Sequence, residues 1–250
     1  LNMSPDTFSE QSSLDQPVGI ELLSAQLLSE RYQTLKQVLR SHKDDFSQVH
    51  STRMHRSLSW LKAAAEQIAD DNLDQAFINL WISFSACFYI EGEEPIAPFI
   101  EKIVILDEHQ KIYDCLWHEY SGSVKALIKN PYVFAEFWQA QRAQLQQKAN
   151  GQVGMAEAAW RRSFDQSSVE ALNYLSRKKV APLFSIVLDR LYVLRNQVLQ
   201  GGATYQSRVN REQVSDGVNL LASIMPIIIG IMLDGADQDW GEIAYPVITK

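Results

Sequence analysis

Val180, Phe184, Val187, Leu191, Leu194 and Val198 follow one another at intervals of four, three, four, three and four residues. An α-helix turns once in about 3.6 residues, so this spacing lays six apolar side chains along one seam. A strand cannot do so, because its side chains alternate with a period of two. Leu58, Leu61, Ala65 and Ile68 repeat the pattern through 55–70. Leu73, Phe77, Leu80, Trp81, Phe84 and Phe88 make a wider stripe through 73–90, and Val214, Val218, Leu221, Met225 and Ile228 carry another helix in the last third. Strand signals are sparse. The expectation is an all-α fold, with the 73–90 and 180–199 helices in one core.

Polar and Gly/Pro residues punctuate these stripes. Asp70-Asp71-Asn72 separates two helices and can cap the second. Gly201-Gly202 should end the 180–199 helix in a left-handed turn. Asn210 with Gln213 reads as a capping box for the last helix, and Pro226 should kink that helix by depriving the Ala222 carbonyl of its partner. Pro95 and Pro98 read as an acidic loop with Glu91, Glu93 and Glu94. Beyond it, 99–165 reads as shorter helices jointed at Gly122, Asn130-Pro131, Asn150-Gly151 and Gly154. The expected organisation is a polar tail over 1–20 and one helical domain over 21–250. Within that domain 95–160 is an elaboration and 234–250 an extended tail pinned by its aromatics.

A chain of 250 residues with 46% hydrophobic composition buries a sizeable core without disulfide or metal staples. Cys87 and Cys115 lie within apolar helical patterns and read as small core residues in a reducing compartment. The first twenty residues are polar and lack a secretory apolar stretch. The apolar run Leu220 to Leu233 is interrupted by Ser223, Pro226 and Gly230 and falls short of the roughly 18 to 20 residues that span a bilayer. It reads as a buried core helix. The expectation is therefore a cytoplasmic protein that does not use a membrane.

A net charge of −7 argues against non-specific nucleic-acid binding over the whole surface. The charge is uneven, however: 151–215 holds nine Lys or Arg against five Asp or Glu, which permits a local polyanion site. The five histidines, His42, His50, His55, His109 and His118, have no metal-ligand spacing and read as exposed or capping residues. Asp44-Asp45, Asp70-Asp71 and Glu93-Glu94 read as caps and solvated loops. Trp60, Trp81, Trp117, Trp138 and Trp160 read as core. No metal or cofactor is expected.

One constellation carries chemistry: Arg195-Asn196-Gln197-Val198-Leu199-Gln200-Gly201-Gly202, at the end of one helix and just before the last. With the two helices over Arg56–Glu66 and Asp74–Phe84, it resembles the HEPN superfamily of helical domains. That signature is Arg, usually followed by Asn, with a His after four to six intervening residues. The resemblance covers about 50–90 and 165–233. It implies a HEPN-like helical bundle and metal-independent RNA cleavage by a homodimer, with two signatures across one cleft. Such proteins serve as toxins or defence effectors, so an antitoxin or defence partner is implied as well.

The residue types suit the chemistry. In-line attack by a ribose 2′-hydroxyl needs a proton acceptor and donor near neutral pH, which His supplies. Arg presents a fixed fork of donors to a phosphate oxygen. Arg195 and position 200 are the expected catalytic pair. Asn196 and Gly201 are expected to support them, and Arg190, Arg208 and Arg211 to contact phosphate or RNA. Position 200 is Gln, which hydrogen-bonds but has no titratable proton near pH 7. The chain is then a catalytically impaired member, either by an engineered His-to-Gln change or by nature. Gly202 stands where some relatives carry a Tyr that a nucleotidyltransferase modifies, so that regulation is not expected. The alternatives are a non-catalytic module that binds RNA, nucleotide or a protein partner, and an enzyme of another class housed in 95–160. Apart from the resemblance, Arg195 could pair with Asp189 or a backbone carbonyl.

Overall fold

A computed structural model describes residues 20–90, 96–149 and 156–248. The described residues are all-α, with no strand. The helices are α1 (Ile20–Ser41), α2 (Gln48–Ala69), α3 (Leu73–Phe88), α4 (Ile96–Leu106), the single turn α5 (Lys111–Asp114), α6 (Ser121–Lys129), α7 (Ala135–Ala149), α8 (Ala156–Ser176), α9 (Val180–Leu199) and α10 (Arg211–Asp234). A π turn over Cys115–Glu119 joins α5 to α6, and a 3-10 turn over Pro131–Val133 joins α6 to α7. The expected tail over 1–20 and the joints at Asn150-Gly151 and Gly154 lie outside the described residues, apart from Ile20.

Each apolar stripe became a buried face. On α2 the buried residues are His50, Arg53, Met54, Ser57, Leu58, Leu61, Ala64, Ala65 and Ile68, a run of three- and four-residue steps. That face packs on α3, where small residues bring the two backbones close. Ser57 Oγ donates to the Ser83 carbonyl at 2.9 Å, and Ser83 Oγ donates to the Ser57 carbonyl at 2.8 Å. Asn72 caps α3, its Oδ1 accepting from Gln75 N. α1 and α10 pack against this hairpin, and α9 packs on α3, α4, α6 and α8.

α10 is long and apolar enough to cross a membrane by length and composition, yet 78% of its apolar window is buried within the fold. Of its two glycines Gly217 is the crowded one, where a Cβ would lie 2.8 Å from Phe77 Cε2 and 3.2 Å from Leu191 Cδ2. Gly230 is the opposite case: a Cβ there meets only Leu35 Cδ2, at 3.8 Å. The two substitutions therefore have opposite signs. Gly217→Ala should lower stability by about 1 to 3 kcal/mol through overpacking. Gly230→Ala should raise it by about 0.5 to 1 kcal/mol, the usual helix-interior gain. Urea midpoints of the two variants against the parent check both.

Several expectations are corrected. Pro98 is not in a loop but in the first turn of α4, where its missing N–H has no helical partner to lose. Gly122 sits inside α6, and the joint falls at the π turn before it. Asn210 occupies the N-cap position of α10, but its side chain makes no cap bond, and Gln213 Oε1 is buried without a partner. At φ −108 and ψ 11, Asn210 lacks the extended conformation a capping side chain needs. Trp81 and Trp160 are buried and Trp117 packs on the core, but Trp60 and Trp138 are more than a third exposed. Trp138 instead donates its Nε1–H to the Tyr132 carbonyl at 2.8 Å.

The tail after α10 is held by Trp240 and also by two arginines of α2. Trp240 does bury its ring beside Phe99 and donates to the Gly235 carbonyl at 2.8 Å. Tyr245, however, is exposed. Arg53, 1% exposed, donates through Nη1 to the Cys87 carbonyl at 3.1 Å. Its Nη2 donates to the Gly241 and Glu242 carbonyls at 3.0 and 2.9 Å. Arg56 Nη2 donates to the Tyr245 carbonyl.

Candidate functional site

The turn after α9 is built by backbone bonds. Gln200 is the C-cap residue, and its N–H donates to the Asn196 carbonyl at 2.9 Å. Gly201 follows at φ +70, the left-handed conformation that favours glycine. The Ala203 N–H returns to the Gln197 carbonyl at 3.1 Å. Asp74, in the first turn of α3, then anchors the chain leading to α10. Its Oδ2 accepts from the Gln206 N–H at 2.7 Å and from Arg211 Nη2 at 3.1 Å. The loop carrying position 200 is thus clamped between the end of α9 and the start of α3.

Arg195 is half-buried on the last turns of α9. Its Nη1 donates to Asn196 Oδ1 at 2.9 Å, and its guanidinium lies 5.6 Å from the centre of the Tyr192 ring. Tyr192 in turn stands 6.0 Å from Trp81 of α3. Among the described residues Arg195 has no carboxylate partner, so pairing with Asp189 is not what holds it. The carboxyl of Asp189 is raised above the usual range by burial, with Arg190 pulling the other way. Gln200 is exposed, and the hydrogen bond of the Arg195 guanidinium goes to Asn196 rather than to it. On an ideal helix, five residues turn about 140°.

The flanking arginines divide. Arg208 is exposed. Arg211 is engaged by Asp74. Arg190 is corrected: it is 3% exposed, its guanidinium 4.4 Å from the Phe134 ring centre, and its Nη2 donates to Ser167 Oγ at 3.0 Å. Burial pushes its pKa down to about 10, against the pull of Asp189 and Glu136. A residue so enclosed has no surface to offer a phosphate.

The histidines also divide. His42, His55, His109 and His118 are exposed, and His42 Nδ1 lies 3.1 Å from the Val38 carbonyl at the end of α1. His50 is corrected: it is 3% exposed and edge-on to Phe46 at 5.3 Å. Burial, and then the charge of Arg53, push its pKa down, while the Met232 backbone raises it. Cys87 and Cys115 are free and buried, and burial pushes both thiols up to about 12. At neutral pH they are unreactive thiols.

Two contributors were not singled out from the sequence. Tyr192 precedes Arg195 by three residues, a spacing that puts both on one helix face. Asp74 carried only the signal of an acidic residue in a first turn. Its bonds span 132 and 137 residues, a separation no local pattern reveals. No family model, curated protein or solved structure matches this chain at a significant level.

Proposed function

We propose that this chain is a HEPN-type, metal-independent endoribonuclease module, of the toxin or defence kind, in a form whose acid–base position is filled by Gln200. The observation that carries the reading is Arg195. It is half-buried, oriented by Asn196 and Tyr192, free of any carboxylate among the described residues, and followed five residues later by an exposed C-cap position. A guanidinium held in place without a counter-ion is suited to a phosphate oxygen. The test is recovery of function. Gln200→His protein incubated with total RNA in EDTA should release products ending in 2′,3′-cyclic phosphate, and equal, negligible cleavage by both proteins refutes the reading.

One observation favours a second reading, a module that binds RNA, nucleotide or a protein partner without cutting: the amide of Gln200 can hold a ligand but cannot move its proton. In either case the proposed working unit is a cytoplasmic homodimer. Tyr192 and Leu199, 45% and 51% exposed, flank Arg195 on α9, and a two-fold axis there buries both copies of this apolar strip and doubles the few polar groups. Sedimentation at micromolar concentration should show a dimer, and Tyr192→Glu with Leu199→Glu should return it to monomer. A parent chain that sediments only as monomer contradicts this assembly.

A further inference from the structure

The second half of α10 is wrapped on nearly every side. From Leu220 to Leu233 only Ile227 and Gly230 are half-buried and Ile231 is 9% exposed, and all three line one groove of about 860 Å³. On α10 the groove is bounded by Ile227, Gly230, Ile231 and Asp234, and on α1 by Leu27, Glu30, Arg31, Thr34 and Leu35. Both sets step by three and four, so each helix lends one face over about two turns, roughly 11 Å. A channel of this kind between two helices is the shape that receives the apolar face of a third. Its floor is open at Gly230, where a Cβ would meet nothing closer than Leu35 Cδ2 at 3.8 Å.

Charge narrows the occupant. The groove is lined by seven Asp or Glu, some from the loop after α4 and the turn after α10, against two Lys or Arg. Glu108, Glu119 and Asp234 are exposed. Such a rim repels RNA and an anionic bilayer. It also repels the chain's own first nineteen residues, which carry Asp6, Glu10 and Asp15 and no Lys or Arg. We infer that the groove between α1 and α10 docks a cationic amphipathic helix of a partner protein. Apolar side chains at i, i+3 and i+4 of that helix meet Leu27, Leu35, Ile227 and Ile231, and its Lys and Arg flanks meet the carboxylates. This inference does not depend on the α9–α10 site.

The probe is a fluorescein-labelled 14-residue peptide of Leu and Lys in amphipathic helical order. Its controls are the Leu/Glu counterpart and a scrambled Leu/Lys peptide. Titration of the full chain by anisotropy at physiological salt should give saturable one-to-one binding, with both controls at least tenfold weaker. Gly230→Phe, which fills the floor, and Glu108→Lys with Asp234→Lys, which reverses the rim, should each weaken binding at least tenfold while helical circular dichroism stays unchanged. No saturable binding, equal binding of the scrambled peptide, or indifference to Gly230→Phe overturns the inference. So does a chain dimer that the groove substitutions dissociate and the peptide does not, because the occupant is then a second copy.

Discussion

Gln200→His is expected to raise RNA cleavage by about 10² to 10⁴ over this chain, the usual worth of a positioned acid–base group. Gln200 is exposed at the end of α9, so the substitution meets no packing obstacle. An imidazole there has two opposed influences on its charge. The helix C-terminus favours the protonated form, and the positive charge of Arg195, five residues earlier on α9, disfavours it. The imidazole should therefore titrate near neutrality, and with one copy serving as base and the partner copy as acid across the dimer cleft the pH–rate profile should be bell-shaped. Gln200→Asn, which has the polarity but no titratable proton, should gain nothing. Arg195→Ala in the Gln200→His background should abolish the gain, and Arg195→Lys should restore little of it, because an ammonium keeps the charge but loses the planar fork. Cleavage that disappears in EDTA shifts the chemistry to a metal site.

Arg53→Met should lower stability by about 1.5 to 3 kcal/mol, the range for hydrogen bonds to a charged group. Methionine fills much of the arginine volume, so the loss comes from three carbonyls, those of Cys87, Gly241 and Glu242, left without their donor. Burial lowers the Arg53 pKa from its ordinary value, an unfavourable contribution that these bonds offset. Arg56→Ala removes one bond at a more exposed position and should lose less than about 1 kcal/mol. Urea unfolding gives the difference. Cleavage by a dilute protease within 235–248 of Arg53→Met, at concentrations the parent withstands, shows the tail released. A loss below about 1 kcal/mol shows that Arg53 is not what holds the tail.

The long helices were legible because their seams are long. Five steps of three and four in α9 exclude any other period, and the left-handed Gly201 is where the Gly pair placed the turn. Pro98 misled because proline punctuates loops and begins helices equally well. Arg190 and Arg53 were hidden by residue type. Charged side chains belong at the surface by default, yet Arg190 falls three after Val187 and four before Leu194, and Arg53 falls four before Ser57. Both stand on their own helix's apolar seam, and that register was the available signal. At the candidate site the sequence carried Arg195, Asn196 and Gln200. It could not carry the Asp74 clamp, which exists only once α3 and the loop before α10 have met.

The bond between Arg53 and the Glu242 carbonyl spans 189 residues. At ribosomal rates of roughly 5 to 20 residues per second, about 10 to 40 s separate the synthesis of its two ends. During that interval the α2–α3 hairpin exists without the α10 that covers it, with a guanidinium aimed at carbonyls not yet made. The nascent chain therefore exposes its most apolar surfaces early and closes them late. Its dependence on chaperones during translation should exceed that of a helical protein of equal length whose first helices pack only on near neighbours.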